Sequence, residues 1–128
     1  MSKIHSCLIA TILCLGTAPA IAADIWAANE FQRYCALCHG PDGRGVGFIT
    51  EGERTRKAPD LTQIARRNKG NFPFSQVAEV IRRGGGVMEH TSRLMPAWGE
   101  FYGEKTDPVY AKAMLFALTQ YVETLQEK

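Results

Sequence analysis

The sequence predicts an all-α domain with long loops, and three observations carry that reading. Leu115, Leu118, Tyr121, Val122 and Leu125 recur at intervals of three and four, the period of one helix face. Ile25, Ala28 and Phe31 repeat that spacing near the other end. Between them no segment reads as a convincing strand, while glycine and proline interrupt the chain often.

The first residues read as a leader. Lys3 opens a short polar stretch, and an apolar run follows from Leu8 to Leu15. Gly16, Pro19 and the small-residue pattern Ala20-Ile21-Ala22 come next, the order of a secretory signal with its cleavage site. The run is too short for a helix that spans a bilayer, which argues against an uncleaved anchor. Cys7 and Cys14 lack the small preceding residue of a lipid-attachment site. A cleavable signal over residues 1–22, ending at Ala22 or Ala23, is therefore expected, followed by a single domain over 23–128. No membrane span is expected in the mature chain. Cleavage leaves only Cys35 and Cys38, in about 105 residues. A core of that size is modest, so a large bound cofactor would supply much of its apolar contact.

The elements follow in order. A first helix should run from about Asp24 into the cysteine pair. Residues 40–59 read as an irregular loop, since Gly40, Pro41, Gly43, Gly45, Gly47 and Gly52 all break regular structure. Asp60 can cap a short helix over Leu61–Arg67, which Gly70 would end. A further helix is expected from Ser75, as cap, to Arg83, with Val77, Val80 and Ile81 as its apolar stripe and three glycines as its stop. From Val87 to Tyr102 only a loop is expected. Pro108 suits the first turn of the last helix.

Charge is nearly balanced but uneven. Residues 24–43 hold one Arg and three acids, residues 44–83 nine Lys or Arg and four acids, and residues 84–128 four basic and six acidic groups. This distribution excludes a nucleic-acid binder.

The chemistry lies in Cys35-Ala36-Leu37-Cys38-His39. Two thiols on one helical turn can each add to a vinyl group of one porphyrin, and the adjacent imidazole then points at the iron. This is the spacing of a c-type haem attachment site. A redox dithiol normally sits in a βαβ setting, which is missing here. Half of a zinc site needs more ligands than His90, the one other histidine after the leader, can supply. A plain disulfide leaves His39 unexplained. An exported location suits the haem reading.

His39 would bind one face of the iron. Met88, His90, Met95 and Met114 are the candidates for the other. Met114 falls inside the last helix and reads as core. Met88 follows three glycines, a poor setting for a fixed ligand. Met95 precedes Pro96, which stiffens the backbone and lets a thioether be presented at low ordering cost. Met95 is the preferred reading.

Beyond this motif, the chain resembles the class I c-type cytochromes over nearly its whole length after the leader. Phe31 through Gly40 resembles the family's first helix and attachment site, with Phe31 as the aromatic four before the first cysteine and Ala27 where a glycine is common. Leu118 through Leu125 resembles the C-terminal helix, with Tyr121 as the aromatic that packs on the first. Met95-Pro96-Ala97-Trp98 resembles the axial-methionine motif. The resemblance implies the small cytochrome c fold, three to five helices with long loops around one covalent haem c and its iron. It implies thioethers from Cys35 and Cys38, axial ligation by His39 and Met95, a Pro59 carbonyl accepting from the His39 Nδ1–H, and Trp98 packed by the haem within reach of a propionate. Arg82 and Arg83 either pair a propionate or complete a helix end.

With both axial positions filled, no substrate reaches the iron. The implied role is a soluble periplasmic electron shuttle between a respiratory dehydrogenase or quinol-oxidising complex and a terminal acceptor. It is a carrier, not an enzyme, and a monomer is expected. A cytochrome subunit held by one dehydrogenase is an alternative, and a gas sensor or haem enzyme with an open distal site is another. Arg54, Arg56, Lys57, Arg66, Arg67 and Lys69 form a basic stretch that would dock an acidic redox partner, or else an ordinary solvated surface.

Overall fold

The computed structural model describes residues 18–45, 48–51, 54–84, 95–104 and 106–127, and at 18–22, 48–51 and 54–57 it describes backbone alone. Residues 1–17, Met88 and His90 lie outside the described residues. The chain has the expected helical class. Helix α1 (Ala18–Glu30) passes through a π-helical turn (Phe31–Cys35) into α2 (Ala36–His39). After the 40–59 segment come α3 (Ile64–Arg67), α4 (Phe74–Arg83), α5 (Trp98–Gly103) and α6 (Pro108–Thr124).

Helix α6 forms where the sequence places it. Asp107 caps it, its Oδ1 accepting from the amides of Val109 at 2.8 Å and Tyr110 at 3.4 Å, and Pro108 occupies the first turn without missing a donor. Ala111, Leu115, Leu118, Thr119 and Val122 form its buried face. Met114 is partly buried against the core, as its place in the helix implies. Helix α1 crosses α6 where Ala27 is 1 % exposed and Phe31 fully buried. The Phe31 and Tyr121 rings meet at 5.2 Å with a 51° tilt, the crossing that the resemblance implies.

Several expectations need correction. Helix α3 spans Ile64–Arg67 rather than Leu61–Arg67, and Gln63 rather than Asp60 stands at its N-cap, because Asp60 accepts from the Thr62 amide in the turn before the helix. Ile25 is 58 % exposed, so the inward stripe of α1 is Ala27 and Phe31, not Ile25 and Ala28. The helix also begins earlier than Asp24, because Ala18–Ala23 is rich in the best helix former. Ser75 is not a cap: Pro73 precedes the helix, and α4 starts at Phe74. The 87–102 segment is not all loop. Trp98–Gly103 forms the short helix α5, too brief and too rich in aromatics and glycine for periodicity to reveal.

The 40–59 segment also carries a pair of antiparallel strands, β1 (Phe48–Glu51) and β2 (Arg54–Lys57), with Phe48 opposite Lys57 and Glu51 opposite Arg54. Thr50 and Thr55 sit opposite each other in that register. The hairpin is an appendage to a helical body and leaves the fold class unchanged.

The C-terminus is fastened to α3. The Gln126 Oε1 accepts from the Ala65 amide at 2.8 Å, its Nε2 donates to the Leu61 carbonyl at 2.8 Å, and the Glu127 amide donates to the Thr62 carbonyl at 3.0 Å. Glu127 also accepts from Gln63 and pairs with Arg44.

Candidate functional site

The site begins with the π turn. Residues four apart on an α-helix overshoot one another by about 40° of rotation. A wider turn underwinds the chain and brings such residues closer to one line, and π turns recur at functional positions. Here the Ala36 amide donates to the Phe31 carbonyl across that turn. Phe31, Cys35 and His39, each four residues from the next, all line one cavity of about 860 Å³.

The opposite wall comes from four places. Pro59 and Leu61 lie at the end of the 40–59 segment and just beyond it, α4 contributes Val77, Val80 and Ile81, Met95 comes from the segment before α5 and Trp98 from the start of α5, and α6 contributes Leu118 and Val122. Most of this lining is apolar, as in cofactor pockets generally.

His39 is oriented by the chain. Its Nδ1 lies 3.1 Å from the Pro59 carbonyl oxygen. A carbonyl only accepts, so Nδ1 carries the proton in this contact. The loop is folded back to make that contact: the Gly45 amide donates to the His39 carbonyl at 2.7 Å, and the Leu61 amide to the Gly43 carbonyl at 2.7 Å. Gly45 has φ +72°, and a Cβ there would lie 2.3 Å from the Ala58 carbonyl oxygen, so only glycine fits. Asp60 fixes the next residues by accepting from the Thr62 amide at 2.8 Å and its hydroxyl at 2.7 Å. Burial works to raise the Asp60 carboxyl, but those Thr62 bonds and the charges of Arg44 and Arg67 hold it below the usual range.

Cys35 and Cys38 are both free thiols and both partly buried. Only Cys35 reaches the cavity wall. Burial, then Glu30, then Cys38 push the Cys35 thiol up to about 12. Among the described residues no group of three or more His, Cys, Asp or Glu is placed to hold a metal ion.

Met95 is partly buried, packs against the core and opens onto the same cavity as His39. An imidazole, a thioether and one thiol on the wall of one apolar cavity, with the second thiol three residues along the chain, form a donor set that fits a covalently held haem. Trp98 is 7 % exposed and lines the cavity. Its ring sits in an aromatic clasp that the sequence does not announce, with Tyr34 at 5.4 Å, Phe101 at 5.2 Å and Tyr102 at 6.1 Å. The Tyr102 hydroxyl donates to Glu30 Oε2 at 2.7 Å and ties α5 to α1. Burial first, then that bond, raise the phenol well above its ordinary value. The signal that could have found the clasp is the run Trp98-Gly99-Glu100-Phe101-Tyr102, three aromatics within five residues.

The basic residues divide. Arg66, Arg67 and Lys69 are exposed around the end of α3. Arg67 also reaches the cavity wall, and its Nη2 donates to the Asp60 carbonyl at 2.7 Å. Arg82 and Arg83 both turn to Glu79, at 2.7 Å each, on the exposed side of α4. The Arg82 bond first, then both charges, hold the Glu79 carboxyl below its usual range. Arg54, Arg56 and Lys57 fall on β2. No helix among the described residues is long and apolar enough to cross a membrane.

Residues 27–126 match the family model described as cytochrome c. No curated protein and no solved structure matches the chain.

Proposed function

The chain belongs to the cytochrome c family, which implies covalently bound haem c with its iron and a role in electron transfer, and from that premise we propose a mono-haem carrier of class I with His/Met axial ligation. The observation that carries this reading is that His39 and Met95 open onto one apolar cavity beside Cys35. Bound haem would supply a one-electron iron centre. Cys35 and Cys38 would form the thioethers, with His39 and Met95 as the axial ligands. The Pro59 carbonyl keeps the His39 proton on Nδ1, which holds the ring and raises the basicity of Nε2. Thioether ligation and the apolar wall would both favour the reduced iron and raise its potential. With His39 and Met95 both holding the group, the chain would leave substrate no place at the iron, and the chemistry supplied would be one-electron transfer.

The test is optical. The holoprotein, made in a host that matures c-type haem, is expected to give sharp α and β bands when reduced and a weak red-edge iron–thioether band when oxidised. Carbon monoxide should leave the reduced spectrum unchanged. A rapid shift under carbon monoxide would instead mean an open distal site and a sensor or enzyme. Absence of covalent haem would overturn the reading outright.

The location is the periplasm, reached through the cleaved leader at residues 1–22. The carrier would run between a respiratory dehydrogenase or quinol-oxidising complex and a terminal acceptor. Exposed Arg66, Arg67 and Lys69, with Arg54, Arg56 and Lys57 on β2, would dock an acidic partner. Complementary charge accelerates encounter and is screened by salt. Stopped-flow electron transfer to an acidic redox protein should therefore slow roughly tenfold between ~10 mM and ~300 mM salt. A rate independent of salt would remove this docking face.

A further inference from the structure

We infer that Gly84 and Gly99 are positioning residues for the Met95 thioether: they join the last turn of α4 to the Met95–Gly99 segment backbone against backbone. The inference rests on Met95 being the second axial ligand.

Gly84 follows Arg83 directly, is buried, and has φ +71°. A Cβ at Gly84 would lie 2.4 Å from the Met95 carbonyl oxygen and 2.7 Å from both the Pro96 carbonyl carbon and its oxygen. These are main-chain atoms and cannot rotate aside. At the far end of the segment, a Cβ at Gly99 would lie 2.6 Å from Arg82 Cγ and 2.8 Å from the Arg82 carbonyl oxygen. Arg82 can swing its side chain away but not its carbonyl. The four residues Met95, Pro96, Ala97 and Trp98 are thus held between two contacts that admit no side chain.

The fixed partner in both contacts is α4, whose Val77, Val80 and Ile81 form cavity wall. The reach of the Met95 sulfur is therefore referred to the same helix that shapes the cavity. Moving the 2.4 Å contact at Gly84 out to ordinary van der Waals distance, 3.4 Å, displaces the Met95 carbonyl by about 1 Å if α4 stays in place. A ligating side chain tolerates only about half that displacement.

Gly84 also ends a helix in a left-handed conformation, a role that needs glycine for its φ alone. Gly70 separates the two effects. It has φ +86° after α3, and a Cβ there would meet nothing within 4 Å. Gly70→Ala carries the conformational strain without the steric contact.

The experiment compares the holoproteins of the wild type, Gly84→Ala, Gly99→Ala, Gly70→Ala and Met95→Ala. Three readouts are used: the oxidised iron–thioether band, the affinity for added imidazole, and the far-ultraviolet helix signal. Gly84→Ala and Gly99→Ala are expected to lose most of the band and to bind imidazole about tenfold more tightly or better, with the helix signal retained. Gly70→Ala should melt earlier but keep the band. Bands and imidazole affinities within about twofold of wild type in both Gly84→Ala and Gly99→Ala overturn the inference. So does a Gly70→Ala protein that loses the band as fully as Gly84→Ala. If Gly84→Ala yields no holoprotein, Gly99→Ala decides alone. Met95→Ala isolates the premise. A band that survives in it overturns the ligand reading and the inference with it, whereas its loss there leaves the glycine variants to test positioning alone.

Discussion

Replacing Cys35 and Cys38 together by alanine is expected to leave a chain that does not hold its native fold. The cavity between the π turn, α4 and α6 measures about 860 Å³ in a chain of 128 residues. Its wall includes Phe31, Ile81, Leu118 and Val122, the same side chains that make up much of the buried interior. Without the group that fills the cavity these side chains lose their apolar partner and face water, and losing the packing of one or two large buried side chains costs about 2–5 kcal/mol each. That is comparable to the whole stability of a small domain, about 5–15 kcal/mol. The double variant should therefore lose most of its far-ultraviolet helix signal and its cooperative melt. Single replacements should be milder, since one thioether would still hold the group in place. A double variant that keeps native helix content and melts cooperatively would show that the protein core stands without its cofactor.

Much of this arrangement is legible in the amino-acid sequence, and the reasons differ by residue. The attachment motif is local: five consecutive residues specify it, and no tertiary context is needed. The His39–Pro59 contact spans twenty residues and is expected only through family resemblance, because nothing in the spacing itself requires the loop to return. What makes it return is Gly45 against Ala58, a close approach that a glycine count records only as a breaker. The Phe31–Tyr121 pair is legible for the same reason of resemblance. Ile25 misleads because helical spacing fixes a period, not a phase. Ile25 and Phe31 sit far enough apart around the helix that one can be buried and the other exposed. Arg82 and Arg83 resist reading because Glu79, one helical turn back, captures both. The short α5 is invisible for want of length, yet it carries Trp98 and Tyr102, two of the buried aromatics. Local chemistry is readable, and the contacts that aim it are not.

Phe31→Ala should be the most damaging single core substitution. Phe31 is one of the two largest side chains with no appreciable exposure, and it serves three structures at once. It opens the π turn that carries Cys35, it meets Tyr121 where α1 crosses α6, and it lines the cavity. Truncating a buried phenylalanine costs about 3–5 kcal/mol through lost transfer energy and the void left behind. The pair with Tyr121 contributes about 0.5–1.5 kcal/mol of that beyond area. In a domain of this size each kcal/mol moves the melting temperature by roughly 4 °C or more, so a drop of at least about 12 °C is expected in thermal melts of the holoprotein. The void also adjoins the cavity wall, so water gains a route toward the cofactor and the midpoint potential should fall with stability. Tyr121→Ala reports on the other half of the contact. If the two residues act mainly through each other, the double variant will cost less than the sum of the singles. Strict additivity would mean that Phe31 acts through the π turn and the cavity rather than through the helix crossing. A melting temperature within a few degrees of wild type would mean that α6 and the covalent group hold the crossing without it.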